Sequence, residues 1–319
     1  MIKEKSISRI ILLGTILFFN FSYLNADEIK TIQAEEIWTI EKGGSYPCLS
    51  PDGSMVAWVE ESKVYIAKVG TKEVIEIGQT KEFLGWLPES NEYLMTAEGF
   101  LSVKTKKLFK TIKNAPNIII KRASLSIPIN VSLSKIEKIY PLWVIQNGEI
   151  KKVYSTEEPY NFVLFGDTSK IKRIIIFQNG FPIYVNNESK DNLIFDFFAS
   201  PAQDKYVLRF AYGAIVILPK EYRTYTLPTG SYLSWSPDGQ KLIFAVLEDD
   251  GHKLTSGKLF ICNWDGSEVR QIVFDTPRIR TRPSFGPQNL ITYSIEEDGN
   301  IGIGVAKLID QKKEKIKQR

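Results

Sequence analysis

After one long apolar run, Ile10 to Phe19, the hydrophobic residues of this chain fall into short stretches bounded by Gly, Pro, Asn or Asp. Met55-Val56-Ala57-Trp58-Val59, Lys241 to Val246 and Leu290 to Ile295 are examples, rich in β-branched and aromatic residues. Runs of about four to eight such residues between turn formers predict β-strands. One stretch displays a whole group of them. Tyr232 to Ser236 predicts a first strand, Asp238-Gly239 a tight turn and Leu242 to Leu247 a second strand. A polar insert, Glu248 to Gly257, then precedes a third strand at Lys258 to Asn263, a turn at Asp265-Gly266 and a fourth strand at Val269 to Phe274. Glycine accepts the positive φ that such turns require.

The group repeats. Tyr46-Pro47-Cys48-Leu49-Ser50-Pro51-Asp52-Gly53 matches Tyr232-Leu233-Ser234-Trp235-Ser236-Pro237-Asp238-Gly239, and each precedes an apolar strand. Weaker copies stand at Trp86-Leu87-Pro88-Glu89, Phe165-Gly166-Asp167, Ala199-Ser200-Pro201-Ala202 and Phe285-Gly286-Pro287. Anchors at positions 51, 88, 201, 237 and 287 are separated by 37, 113, 36 and 50 residues, and the long gap has room for two further units. The chain is therefore expected to be all-β, a β-propeller of four-stranded antiparallel blades, with seven blades favoured over six. The last unit, Pro283 to Leu308, lacks a fourth strand, whereas Glu36 to Ile40 looks like the fourth strands of other units. Pairing that segment with the last blade would close the ring and leave no long free edge.

Trp235-Ser236-Pro237-Asp238-Gly239, with Asn263-Trp264-Asp265-Gly266 following it, resembles the repeat of the TolB-like propeller superfamily. The resemblance covers roughly residues 36–308 and includes the propeller only, without the α/β domain that precedes it in TolB. It implies a rigid ring that binds partners through its loops.

The start of the chain changes the picture from a cytosolic to an exported protein. Lys3, Lys5 and Arg9 precede the apolar run, and Leu24-Asn25-Ala26 offers a cleavage site, so residues 1–26 are expected to be a signal peptide. The mature chain is then expected to be periplasmic or secreted, with a propeller over 27–308, a charged tail over 309–319 and no membrane span. The formal net charge of +4 is carried by the signal and the tail, which leaves a slightly acidic body and no basic surface for nucleic acid. Cys48 and Cys262 lie in strand-like stretches far apart and are expected to be free thiols.

Candidate chemistry is sparse. His252, the one histidine, sits in the polar insert and reads as a solvated loop residue, and no Gly-x-Ser-x-Gly elbow is present. A His/Cys metal site is excluded, and no cofactor is expected. Glu248-Asp249-Asp250 and Glu296 to Asn300 supply oxygen ligands without EF-hand spacing and read as acidic hairpin turns. One segment stands apart: Asp275 to Pro283 carries Arg278, Arg280 and Arg282 at alternate positions. In an extended chain alternate side chains point the same way, so the three guanidinium groups are expected to form a partner-binding site at the channel mouth. The expected function is a non-enzymatic scaffold for a protein or cell-envelope partner. A propeller enzyme acting on a polysaccharide or peptide in the channel, and a structural subunit of an envelope assembly, are the alternatives.

Overall fold

The computed structural model describes residues 29–41, 43–113, 115, 118–122, 142–153, 160–165, 173–178, 181–185, 194–202, 204–210, 213–218, 223–228 and 230–309. The expected signal peptide and all but the first residue of the expected tail lie outside them. Every described element is a strand.

An opening strand, β1 (Lys30–Ile40), precedes the first sheet of β2 (Ser45–Leu49), β3 (Met55–Glu60), β4 (Lys63–Lys68) and β5 (Val74–Gln79). The second sheet holds β6 (Phe83–Trp86), β7 (Tyr93–Thr96), β8 (Gly99–Ser102) and the two-residue β9 (Leu108–Phe109). Two three-stranded sheets follow, β10 (Ile118–Arg122) to β11 (Leu142–Gln146) to β12 (Glu149–Val153), and β13 (Tyr160–Phe165) to β14 (Arg173–Gln178) to β15 (Phe181–Val185). Next is the four-stranded β16 (Ile194–Ala199), β17 (Tyr206–Phe210), β18 (Gly213–Leu218) and β19 (Arg223–Leu227).

The remaining strands are β20 (Ser231–Trp235), β21 (Lys241–Asp249), β22 (Leu254–Asn263), β23 (Arg270–Val273), β24 (Ile279–Phe285), β25 (Leu290–Glu297) and β26 (Asn300–Ile309). With β1 they form one eight-stranded sheet, in the order β20-β21-β22-β23-β1-β26-β25-β24. Two antiparallel groups of four thus meet at β1. Gln33 to Ile40 run antiparallel to Ile303 to Ile309, and Lys30 to Gln33 run parallel to Arg270 to Val273. The parallel contact is not anticipated by a pattern confined to residues 36–40; β1 starts six residues earlier and reaches a second neighbour with that extra length.

The seven strand groups are not equivalent. In β2, β6, β10, β16, β20 and β24, the first strand of six groups, one extra residue interrupts the pairing with the second strand. β13 pairs with β14 in unbroken register from Tyr160 to Phe165. β10 also packs alongside β16, so the third and fifth groups adjoin at their first strands. Spacing along the sequence cannot separate these cases, because the strands of β13–β15 have the same apolar character as the rest.

The groups pack through apolar faces. Trp58 is fully buried and stacks on Tyr65 across the β3–β4 pair. Trp86 of β6 donates its indole N–H to the Cys48 carbonyl of β2 at 3.1 Å, tying the second group to the first. Between the two halves of the eight-stranded sheet, Ile32 and Ala34 of β1 share one core with Ile243, Ile261, Tyr293 and Leu308.

The Ser-Pro-Asp-Gly turns are closed by their serines. Ser236 Oγ donates to Asp238 Oδ1 at 2.5 Å and accepts from the Lys241 N–H at 2.8 Å. Ser50 likewise donates to Asp52 at 2.6 Å and accepts from the Met55 N–H at 3.0 Å. In Ser200 to Lys205 the aspartate has moved along the turn, yet Ser200 still donates to Asp204 at 2.7 Å and accepts from the Lys205 N–H at 3.1 Å. Burial raises the pKa of Asp52, Asp204 and Asp238, but hydrogen bonds from these serines and the turn N–H groups outweigh it and hold each below the usual carboxylate value.

A carboxylate whose folded pKa is depressed contributes stability above its unfolded value of about 3.9, and this is lost as pH falls through the folded value. Melting midpoints are therefore expected to be flat near neutrality and to drop below about pH 4. Ser236→Ala, which strips the part-buried Lys241 N–H of its acceptor, is expected to destabilise by about 1–3 kcal/mol at neutral pH and to make the acid decline shallower. Melts of both proteins across pH measure this; parallel curves would remove the Ser–Asp turn as the origin of the acid sensitivity.

Candidate functional site

In an antiparallel group of four, the link entering the first strand and the hairpin between the second and third strands lie at the same end. At that end a cavity of about 810 Å³ opens between four loops. Its walls are the β1–β2 link from Glu41 to Tyr46, the β3–β4 hairpin from Val59 to Ser62, the β5–β6 link from Thr80 to Phe83, and the β25–β26 turn from Gly299 to Ile301. The link and the turn are stitched by a 2.8 Å bond from the Gly43 N–H to the Ile301 carbonyl. Gly44 is required by packing: a Cβ there would stand 2.2 Å from the Val59 carbonyl oxygen.

The first-strand irregularities shape the same end. Tyr46, Tyr232 and Arg282 lie at matching places within them and have φ values of 57°, 56° and 47°, while Gly85 near the bulge of β6 has 108°. Bulges of this kind re-aim a side chain and often border functional sites. Tyr46 is 45% exposed at the cavity wall. Tyr232 lies beneath the Arg282 guanidinium, 5.2 Å from ring centre to carbon.

The three alternating arginines are divided between two carboxylates. Arg280 is buried, with its guanidinium 3.8 Å over the Phe274 ring. It donates to the Thr276 carbonyl at 3.0 Å, the Thr276 hydroxyl at 2.8 Å and Glu36 at 3.4 Å. Arg278 approaches the other Glu36 oxygen at 3.6 Å and remains 35% exposed, while Arg282 pairs with Glu296 at 2.7 Å. Two features break the expected common direction: the strand begins at Ile279 rather than after the arginines, and the bulge around Arg282 interrupts its two-residue period.

Glu36 completes the network by accepting a 2.7 Å bond from the Tyr293 hydroxyl. Burial, reinforced by the Glu36 carboxylate, pushes the Tyr293 phenol well above its ordinary pKa, so it stays a neutral donor. The role of Glu36 is missed by motif reading, but a signal exists: it occupies the same alternate phase as Ile32, Ala34, Trp38 and Ile40, all buried. A carboxylate in that phase needs a partner.

The polar insert forms a hairpin, with its acidic residues at and beside the turn. β21 and β22 continue into it, with Glu248 opposite Ser256 and Asp249 opposite Leu254, because the polar residues complete the ladder of a long hairpin. Its tip carries exposed His252, whose N–H donates to Asp250 at 2.9 Å, at the same end as the cavity. Cys48 and Cys262 are not joined in a disulfide, and burial together with nearby Asp265 raises the Cys262 thiol to about 12. Among the described residues no group of three His, Cys, Asp or Glu is placed to hold a metal ion, and no helix is long and apolar enough to cross a membrane.

No family model matches the sequence, and no curated protein matches it. Solved structures with a similar trace include an oligogalacturonate lyase from Vibrio parahaemolyticus, at 12% identity over 89% of this chain and 99% of that one, with a TM-score of 0.48. A chain of a mitotic checkpoint complex is similar at 12% identity over 86% of this chain and 95% of that one, TM-score 0.48. TolB from Acinetobacter baumannii is similar at 15% identity over 72% and 54%, TM-score 0.36. The described residues form an all-β fold of repeated antiparallel strand groups, marked by their strand order, the bulge shared by six first strands and the serine-closed turns.

Proposed function

We propose that the protein is an exported, non-enzymatic propeller scaffold that binds a protein or cell-envelope partner at the end where its cavity opens. In this reading six groups, those with the first-strand bulge, form the ring, β1 closes it, and β13–β15 is an inserted sheet. The observation that carries the binding role is the convergence at one end of a cavity within the usual ligand-pocket size of about 300–1,000 Å³ and of the bulge residues Tyr46, Tyr232 and Arg282. The pairing of the nearby charges favours recognition over proton transfer: Arg280 and Tyr293 both donate to Glu36, and Arg282 pairs with Glu296. Arg278 is the contact residue of the arginine segment, and Arg280 and Arg282 fix its course.

Affinity capture with the mature chain, followed by binding isotherms with the captured partner, tests this. Tyr46→Ala combined with Arg278→Gln is expected to weaken binding by about tenfold or more, as central aromatic and arginine contacts do. Glu89→Gln combined with Gln240→Ala, at the opposite end, is expected to leave it unchanged. The reverse pattern would place recognition at the wrong end.

A further inference from the structure

We propose that the cavity takes an extended basic segment of a partner polypeptide, with lysine or arginine side chains set among its rim carboxylates. The inference rests on reading this end as the binding end and adds the chemistry of what it binds. Glu41, Glu60, Glu61 and Glu82 all line the cavity, one from each of two links and two from the β3–β4 hairpin, against one cation, Lys81, among the described lining residues. None of the four carboxylates makes an ion pair with another described residue. Glu36 and Glu296, by contrast, are each matched by arginine. Among the described residues the cavity is therefore a concave site with an excess of negative charge, eased in part by Lys81 and by Lys63 near Glu61, and its complement is cationic.

The arrangement favours a chain over a compact ion. The carboxylates are spread over separate loops, and no three acidic residues among those described converge on one point. Spread charges match a segment whose cations are themselves spread, as in a peptide with basic residues at intervals. The walls add suitable surfaces. Tyr46, about half exposed at the edge, offers an aromatic face of the kind that attracts a guanidinium or ammonium group. Gly299, where an added Cβ would meet nothing within 4 Å, leaves bare peptide backbone along part of the lining, so a second backbone can approach closely there.

The test uses the full mature chain and a dye-labelled, end-blocked peptide in which arginine alternates with glycine, read by fluorescence anisotropy at low and moderate salt. Saturable binding that weakens with salt is expected, with no binding of the same peptide carrying glutamate for arginine. Glu41→Gln, Glu60→Gln and Glu82→Gln together are expected to lower affinity about tenfold, the scale for a few partly solvated ion pairs acting together. Neutralising Glu35, Glu73 and Glu89 together, which changes net charge equally but lies outside the cavity, is expected to change it less than about twofold. Thermal melts establish that both triple variants are folded. Equal losses in the two variants would mean attraction to net charge alone and overturn the proposal, as would a cavity variant that binds like the parent. Loss of captured partner on Tyr46→Ala and Arg278→Gln together, alongside a peptide indifferent to the carboxylates, would keep the binding end and discard the basic segment.

Discussion

A chain that begins at Gly43, and so lacks β1, is expected to lose its single cooperative unfolding transition and to associate at concentrations where the mature protein is monomeric. β1 buries Ile32, Ala34, Trp38 and Ile40. At about 1.5–3 kcal/mol for each large side chain, the three larger ones represent on the order of 5–9 kcal/mol, comparable with the whole stability of a typical domain. Removing β1 also strips two strands of a neighbour at once, β23 over Arg270 to Val273 and β26 over Ile303 to Ile309. Newly bared strand edges pair with other copies. Trp38 would no longer donate its indole N–H to the Thr71 carbonyl, a 2.5 Å bond that ties β1 to the first group. Urea unfolding followed by tryptophan fluorescence, with light scattering on the native samples, reads both effects. A truncated chain with the parent's midpoint, slope and mass would show that β1 is an accessory strand.

The second large effect is expected at Glu36. Replacing it by Ala leaves Arg280, whose side chain is only 5% exposed, without its carboxylate, and removes the acceptor of the Tyr293 hydroxyl. Breaking one side of a buried pair costs about 3–5 kcal/mol, chiefly because the other charge stays buried and unmatched. If that is the origin, Glu36→Ala combined with Arg280→Met should be less destabilised than the sum of the two single variants, since the charge needing compensation is gone. The Phe274 and Tyr293 rings that flank the guanidinium offer a surface on which a methionine packs. Denaturation of the four proteins forms a double-mutant cycle. Additive losses would show that Glu36 and Arg280 act independently, and a loss below about 1 kcal/mol for Glu36→Ala would mean that water already supports the arginine.

The parts of the fold legible in the sequence are those held by short-range chemistry. Ser50 with Asp52 and Ser236 with Asp238 close their turns within two residues, so the motif and the hydrogen bond that explains it are one and the same. The strands of β20–β23 could be read because apolar runs alternate there with Asp-Gly turns and one polar insert. What was not legible depends on residues distant in the chain. Nothing near Arg280 announces that Glu36, 244 positions away, meets it, and alternation brings Arg278 and Arg280 but not Arg282 to one carboxylate because a bulge has no separate symbol in an apolar pattern. The same limit applies to β13–β15, whose composition is that of the other groups while its unbroken first strand sets it apart. The cavity was missed for a similar reason: its carboxylates belong to three loops, each unremarkable as a surface turn.

The place of β1 between β23 and β26 also sets an order in time. β1 pairs with residues 270–273 and 303–309, which are synthesised long after it, so for much of the chain's emergence it has no partner. Contacts across such a separation close late and slowly, because the loop-closure entropy must be met before they contribute anything. Until then the edges of β23 and β26 stay open and the apolar side chains of β1 remain in water. The vulnerable interval in the life of this protein is thus the one before its first strand arrives, when a chaperone that shields extended apolar segments would have most effect on yield.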